Sequence, residues 1–316
     1  MNTPLPVTLA DIRAAEARIR GRVRHTPLMV DPRLSGVLLK QEYRQETGAF
    51  KLRGATNAIL SLSADELARG VVTASTGNHG RALAHGARAC GARAVVCLSH
   101  LVPANKVQAI RDLGAEVRVV GQSQDEAMAE VARAVAEEGL IEVPPFDHPA
   151  VVAGQGTLGL ELLADCAAPS SVLIPLSGGG LAAGVAAAVR SLSPSTRLVG
   201  VTMARGAAMA ASLAAGQPVE VPELPTLADS LGGGIGLGNR VTFAMCRALL
   251  DDVVLVSEDE IAEAMRHIRA ATGDAVEGAA AVGVAAILSG RVKPGPATVC
   301  ILSGANVAPE TFARIL

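Results

Sequence analysis

Lys51 is the first residue whose surroundings suggest chemistry. It lies in the segment "TGAFKLRG", residues 47–54, directly after Phe50 and between two glycines. An amine near apolar groups has its neutral form favoured, and only the neutral amine attacks a carbonyl carbon. A solvated lysine in a turn is the commoner alternative, so this segment by itself leaves both interpretations open.

A second segment, "SGGGLAAG" at 177–184, is typical of an anion-binding loop. Three successive glycines precede a predicted helix, so backbone amides can approach a phosphate closely without a lysine. Gly178, Gly180 and Ala183 also fit a loose dinucleotide pattern. The next strand, "LVGVTMA", lacks the acid that would bind a ribose hydroxyl, so a single phosphate is favoured over a dinucleotide-dependent oxidoreductase.

Two further loops carry polar groups directly after predicted strands. "STGNHG" at 75–80 combines two hydroxyls, an amide and an imidazole at a helix start, which favours a small anion such as a carboxylate. "SGAN" at 303–306 offers Ser303 at the end of the last strand. Simple caps and turns would also explain both loops. Ligands of parallel sheets bind beyond the carboxyl ends of the strands, so we expect these loops to meet.

The composition excludes several classes of function. Lys and Arg number 28 against 30 Asp and Glu, which gives no basic field for nucleic acid or an anionic membrane. Five cysteines without a CxxC pair predict free thiols in a reducing compartment rather than disulfides or a zinc site. Serine-hydrolase, kinase and zinc-protease motifs are absent from the sequence. We therefore expect a cytoplasmic enzyme with a small-molecule partner.

Short β-branched runs alternate with helical segments along most of the chain. The runs are almost continuously apolar, which is typical of strands buried on both faces, so we predict an α/β fold with parallel sheets covered by helices. Three prolines in "IEVPPFDHP", residues 141–149, indicate a crossing between two lobes. The predicted strands begin at residues 71, 94, 116, 171, 197, 252 and 298. Capping boxes predict helix starts after Thr8, Ser63, Ser123 and Ser257.

An aldehyde cofactor with one phosphate, pyridoxal 5′-phosphate, would use both Lys51 and the 177–184 loop. Six segments, in their order along the chain, resemble the fold type II pyridoxal-phosphate enzymes. They are "TGAFKLRGA", "STGNHG", "AGQGT", "SGGGL", "VEGAAAVG" and "SGAN". The resemblance is to the threonine/serine dehydratase and serine racemase family. "ADSLGGGIGLGNR" further resembles its hydroxyectoine-utilization dehydratases.

The resemblance implies a two-lobed fold like that of the tryptophan synthase β subunit, and a homodimer. Residues 1–55 and 148–316 would form the large pyridoxal-phosphate-binding domain, with residues 56–147 as a smaller inserted domain. It also implies a role for each matching residue. Lys51 would hold the cofactor as a Schiff base and remove the Cα proton. Phe50 would lie against the cofactor ring, Asn78 would bind the 3′ oxygen, and Ser303 would face the pyridine nitrogen. The phosphate would be bound by Gly178, Gly179, Gly180 and Leu181, and the substrate carboxylate would be surrounded by Ser75, Thr76, Gly77 and His79.

The activity that the resemblance implies is β-elimination from L-threonine or L-serine, giving a 2-oxo acid and ammonia. A neutral hydroxyl at the pyridine nitrogen makes the ring a weaker electron sink, which favours elimination over transamination. The alternative substrates are hydroxyectoine, a derivative of it, or 3-hydroxyaspartate. A second carboxylate would recruit an arginine, for which Arg44, Arg53 and Arg205 are available. A non-catalytic ligand-binding homologue is a weaker alternative, since it would not need Lys51.

Five residues depart from the family pattern. Thr76, which we expect to be catalytic, replaces the serine that serves the opposite substrate face in racemases, so racemisation is not expected. Thr202 and Met203 stand where the racemases carry a metal-binding acid, so we predict no metal there. Tyr43 and Ser230 also differ from the pattern, and we expect both near the substrate pocket.

Overall fold

The computed structural model describes residues 4–75, 77–102 and 104–315, without the side chains of residues 105 and 124. These residues form ten strands and thirteen α-helices, with short 3₁₀ helices at Glu42–Arg44 and Asp229–Leu231. The strands are β1 (Leu28–Val30), β2 (Val37–Lys40), β3 (Val71–Ala74), β4 (Ala94–Leu98), β5 (Glu116–Val119), β6 (Ile141–Glu142), β7 (Ser171–Pro175), β8 (Arg197–Met203), β9 (Asp252–Val256) and β10 (Thr298–Ile301). The helices are α1 (Leu9–Ile19), α2 (Lys51–Leu60), α3 (Ala64–Arg69), α4 (Asn78–Ala89), α5 (Ala104–Asp112), α6 (Gln124–Glu138), α7 (Pro149–Asp165), α8 (Gly180–Leu192), α9 (Ala208–Ala215), α10 (Thr242–Leu249), α11 (Glu258–Thr272), α12 (Gly278–Leu288) and α13 (Pro309–Ala313).

The strands form two separate sheets. The larger has the order β1-β2-β10-β7-β8-β9, and only the edge pair β1-β2 is antiparallel. The smaller has the order β5-β4-β3-β6 and is parallel throughout. Its strands all lie between residues 71 and 142, within the predicted inserted domain. The domain boundaries at 55/56 and 147/148 stay predictions.

Helices cover both faces of the larger sheet. On one face, α1, α7, α8 and α10 contribute residues such as Ile12, Leu158 and Val185 to the buried core. On the other face, α11 and α12 contribute residues such as Ile261 and Val282. No helix in the described part of the chain is both long and apolar enough to span a bilayer.

Small residues let α7 and α8 approach closely. A Cβ atom at Gly184 of α8 would lie 2.4 Å from the Val152 carbonyl oxygen and 2.6 Å from the Gly156 nitrogen of α7. The close approach of the two helices brings many backbone and small side-chain atoms into dispersion contact, in place of the large aromatic side chains that the composition lacks. The close packing fixes α8, whose first turn follows the glycine loop.

All seven predicted strands are confirmed. They could be predicted because strands of a buried parallel sheet are almost continuously apolar. The capping boxes at Thr8, Ser63 and Ser257 are also confirmed. At Ser123 the hydroxyl accepts the Glu126 amide, but the Glu126 carboxylate bonds the amide of Gln122 instead of completing the box. Strands β1, β2 and β6 were not predicted from the sequence, and they have two to four residues each.

Candidate active site

Lys51 is the first residue of α2. Its Nζ atom donates a 2.7 Å hydrogen bond to the Pro145 carbonyl and lies 5.3 Å from the centroid of the Phe50 ring. Burial of the amine lowers the pKa of Lys51 to about 8. At pH 7 roughly a tenth of these amines are therefore neutral and nucleophilic.

The crossing segment, residues 141–149, connects Lys51 with the glycine loop. After Pro145, the Phe146 ring packs on Gly178, where a Cβ atom would lie 2.4 Å from the ring. Asp147 then accepts 2.9 Å hydrogen bonds from the amides of residues 240, 241 and 242 at the start of α10. The segment thus positions both the lysine amine and the glycine loop.

The glycine loop ends in a helix start that can hold an anion. Gly179 caps α8 in the left-handed conformation, with φ +88°, which favours glycine. A side chain there would also meet Met209, Thr242 and Cys246. The amides of the first turn have no partner within a helix and carry the positive end of its dipole. This cradle fits a phosphate.

Residues 48–50 and 303–305 are joined as a short antiparallel bridge. The Phe50 amide donates to the Ser303 carbonyl and the Ala305 amide donates to the Gly48 carbonyl, each at 3.0 Å. Ser303 is buried. The serine that follows β10 and the lysine that begins α2 are therefore held by one backbone unit.

Asn78, the first residue of α4, is tied to the larger lobe through its side chain. Its Nδ2 atom lies 3.0 Å from both carboxylate oxygens of Glu277, and its Oδ1 atom accepts a 2.6 Å hydrogen bond from Asn306. Burial raises the pKa of Glu277, although hydrogen bonds from Asn78 and Ser230 oppose the change. One amide hydrogen of Asn78 is shared between the two oxygens, which leaves the second for a ligand.

The loop before α4 holds the predicted carboxylate-binding residues. Ser75 Oγ accepts a 3.4 Å hydrogen bond from the Gly77 amide, and Thr76 lies outside the described residues. The His79 imidazole is buried, with Nε2 2.8 Å from the Val143 carbonyl, and its Nδ1 has no hydrogen-bond partner among the residues that the structure describes. Burial, together with the charge of Lys51, lowers the pKa of His79 to about 3. His79 is therefore neutral and offers no cationic partner to a carboxylate.

Two of the arginines considered for a second carboxylate are engaged elsewhere, and the third is exposed. Arg53 is buried and donates two hydrogen bonds to Glu42, at 2.7 and 2.8 Å, and one to Glu161 at 2.7 Å. Arg44 pairs with Asp274, and Arg205 is exposed.

The two unusual positions near the predicted pocket have different surroundings. The Tyr43 hydroxyl donates a 2.9 Å hydrogen bond to Asp274, and burial raises the pKa of Tyr43 to about 12. Ser230 donates a 2.9 Å hydrogen bond to Glu277, which also binds Asn78. Ser230 therefore belongs to the Asn78 network, whereas Tyr43 orders the chain around Asp274.

Among the described residues, His25, Glu161 and Asp165 form a group with metal-ligand spacing. The buried Lys40 amine already lies 2.7 Å from a carboxylate oxygen of Glu161 and of Asp165. This group is therefore a charge-neutralised ion cluster. At the predicted metal-free position, the Thr202 hydroxyl lies 3.2 Å from the sulfur of its neighbour Met203.

Three site residues were not identified from the sequence. Glu277 lies in "VEGAAAVG" and Asn306 in "SGAN", so both motifs were noted without these side chains being assigned. Phe146 lies in the crossing segment, where the prolines indicated a lobe boundary and no site. The signal in the sequence that could have identified Glu277 is an acidic residue directly before an apolar helical segment.

A nucleophilic lysine and a phosphate cradle without a lysine fit pyridoxal phosphate, as do the Asn78 amide and the Ser303 hydroxyl. The family model "Pyridoxal-phosphate dependent enzyme" matches residues 19–304, and the chain belongs to this family. Pyridoxal phosphate is therefore its cofactor.

Known relatives agree with this class. The chain is 57% identical to a Sinorhizobium fredii protein provisionally named a threonine dehydratase, covering 97% of this chain and 94% of the relative. It is 42% identical to the L-threonine ammonia-lyase of Geobacter sulfurreducens, covering 99% of this chain and 78% of the relative. The processed threonine deaminase isoform 2 of Solanum lycopersicum superposes with a TM-score of 0.90 at 32% identity, covering 99% and 95%. The predicted fold type II architecture and the predicted class, a pyridoxal-phosphate-dependent ammonia-lyase, are confirmed.

Proposed function

We propose that this enzyme eliminates water from L-threonine or L-serine and releases the 2-oxo acid and ammonia. The observation that carries the proposal is the Lys51 amine, desolvated and held 2.7 Å from the Pro145 carbonyl beside the phosphate cradle. The names of the relatives described above support the same substrates.

Pyridoxal phosphate, when bound, supplies an aldehyde and an electron-withdrawing ring that stabilises negative charge at the substrate Cα atom. Lys51 Nζ would hold the aldehyde carbon and, once released by the substrate amine, remove the Cα proton. A pKa of about 8 suits this task, because the neutral amine is populated near physiological pH and is still basic enough to accept a proton.

The surrounding residues would orient the cofactor. The amides from Gly178 to Leu181 would bind the phosphate, Phe50 would lie against the ring, and the second N–H of Asn78 would bind the 3′ oxygen. Ser303 would place a neutral hydroxyl at the pyridine nitrogen. Such a hydroxyl cannot keep the nitrogen protonated as a carboxylate would, which supports elimination.

On the substrate side, Ser75, Thr76, Gly77 and His79 would surround the carboxylate. Because the pKa of His79 is lowered to about 3 by burial, its contribution would be a hydrogen bond and not a charge. Arg53 is held by the buried Glu42 carboxylate and the partly buried Glu161 carboxylate, which favours a monocarboxylic substrate over 3-hydroxyaspartate.

Replacing the lysine tests the proposal directly. We expect Lys51→Ala to lose both the visible absorption of bound pyridoxal phosphate and ammonia release from L-threonine and L-serine. The matched control is Lys293→Ala, which removes an exposed lysine and should retain both. A Lys51→Ala protein that turned over normally would refute the proposed function.

Hydroxyectoine or a derivative is the second candidate substrate. Ser230, within the hydroxyectoine-dehydratase-like stretch, reaches the site through Glu277 at 2.9 Å. Ammonia release measured across L-threonine, L-serine, 3-hydroxyaspartate and hydroxyectoine would rank these substrates. Activity with hydroxyectoine alone would replace the first candidate by the second.

We also propose a cytoplasmic homodimer. Free cysteines support the reducing compartment, and all five are free. The family resemblance supports the dimer, and light scattering of the purified protein would measure it.

A further inference from the structure

Four side chains form one continuous chain of hydrogen bonds beside the candidate site. Arg81 Nη1 donates to Asn306 Oδ1, and Asn306 Nδ2 donates to Asn78 Oδ1 at 2.6 Å. Asn78 Nδ2 then donates to the Glu277 carboxylate, with 3.0 Å to each oxygen. The chain runs from a cation on α4 to a buried acid directly before α12.

All donors in this chain point in the same direction. A guanidinium begins it and a carboxylate ends it, so each hydrogen bond polarises the next in the same sense. The orientation of Asn78 is also fixed. If its amide were reversed, its oxygen would face the Glu277 carboxylate and its NH₂ group would face the NH₂ group of Asn306.

Glu277 has unusual surroundings for a buried acid. It is 4% exposed and, among the described residues, the groups that act on its carboxylate include no lysine, arginine or histidine. The partners of its carboxylate are the Asn78 side chain, the Ser230 hydroxyl at 2.9 Å and the backbone amide of Asn306 at 2.7 Å. A buried carboxylate without a cation is costly. Here hydrogen bonds satisfy the Glu277 carboxylate, and its negative charge acts on the Asn78 amide that it contacts.

We propose that Glu277 is a positioning residue that holds the Asn78 amide with its second N–H directed at the pyridoxal phosphate ring oxygen. Arg81 reinforces the polarisation from the opposite end, and Ser230 stabilises the carboxylate. This inference rests on the proposed role of Asn78 in cofactor binding. It assigns a function to Ser230, a position where this chain departs from the family pattern.

The network also joins the two lobes. Asn78 and Arg81 follow β3 of the smaller sheet, whereas Glu277 and Asn306 flank the helix and strand that complete the larger one. Cofactor orientation and lobe orientation therefore depend on the same side chains.

Glu277→Gln tests the charge separately from the shape, since glutamine is nearly isosteric. We expect the dissociation constant for pyridoxal phosphate to rise roughly tenfold, as for the weakening of one charge-assisted hydrogen bond. The visible absorption maximum of the bound cofactor should also shift. Glu263→Gln, which changes an exposed acid of α11, is the control and should match the parent in both measurements.

Arg81→Gln and Ser230→Ala provide a test that does not depend on the folding of the Glu277 variant. Both alter partners of the network, and both should shift the spectrum in the same direction as Glu277→Gln, by a smaller amount. Parent-like spectra and affinities in all the variants that fold would overturn the inference. Loss of colour in Lys51→Ala in the same experiment would show that the proposed function nevertheless stands.

Discussion

The backbone amide of Phe50 donates a 3.0 Å hydrogen bond to the carbonyl of Ser303, so the residue before the candidate Schiff-base lysine is bonded to the candidate pyridine partner. The two residues come from nearly opposite ends of the chain. Their direct connection holds the backbone at Ser303 against the backbone at the start of α2, which is the preorganisation that a cofactor site requires.

The lowered pKa of Lys51 predicts how the uptake of pyridoxal phosphate depends on pH. Below pH 8 the neutral fraction of the amine changes about tenfold per pH unit, and above pH 8 it levels off. We expect the initial rate of cofactor uptake by the cofactor-free protein, followed by visible absorption, to show this profile. A rate that kept rising to pH 10, as for an ordinary lysine, would contradict the assigned burial effect.

Gly178→Ala should weaken cofactor binding because its Cβ atom would lie 2.4 Å from the Phe146 ring. The ring or the loop must move, so we expect at least a tenfold rise in the pyridoxal phosphate dissociation constant, about 1.4 kcal/mol. Gly238→Ala is the matched control, since a Cβ atom at Gly238 would meet no atom of the described residues within 4 Å. Equal affinities in the two variants would show that the Gly178 cradle does not hold the phosphate.

Arg53→Met should destabilise the fold severely. It would leave Glu42, which is fully buried, without its cation, at a cost of about 3–5 kcal/mol in the free energy of unfolding. The control Arg93→Met breaks an exposed pair with Glu116 and should cost about 1 kcal/mol or less. Urea denaturation measures both. If both variants lost the same free energy of unfolding, the buried Arg53–Glu42 pair would stabilise α2, which begins with Lys51, no more than an exposed pair does.

The sequence predicted elements and loops well because their signals are local. Apolar continuity defined the strands, and glycines with hydroxyls marked the loops at Ser75, Gly178 and Ser303. The short strand β2 was missed partly because it ends in Lys40, a charged residue with no exposed surface. Only Glu161 and Asp165, far along the chain, explain why that charge can be buried.

The polar network around Asn78 was not predictable in the same way. The Asn78–Glu277 contact depends on how the two lobes meet, and no periodicity in the sequence encodes that relation. Arg53 shows the same limitation. It was one of three arginines available for a second substrate carboxylate, whereas the structure pairs it with Glu42 and Glu161.

The buried His79 predicts a specific sensitivity to acid. Burial and the charge of Lys51 lower the pKa of His79 to about 3 in the folded protein, whereas an unfolded histidine titrates near 6.5. Between these values the unfolded chain binds a proton that the folded chain excludes, so stability falls as the pH falls from about 6.5 toward 3. The contribution is up to about 1.4 kcal/mol per pH unit in the free energy of unfolding.

His79→Gln removes this titration and keeps a donor for the Val143 carbonyl. We expect its free energy of unfolding, measured by urea denaturation between pH 6 and 4, to decline less steeply than that of the parent by about this amount. The carboxylates titrate in both proteins, so the difference in slope isolates His79. Parallel slopes would show that His79 is protonated in the fold and is available as a cation for the substrate carboxylate.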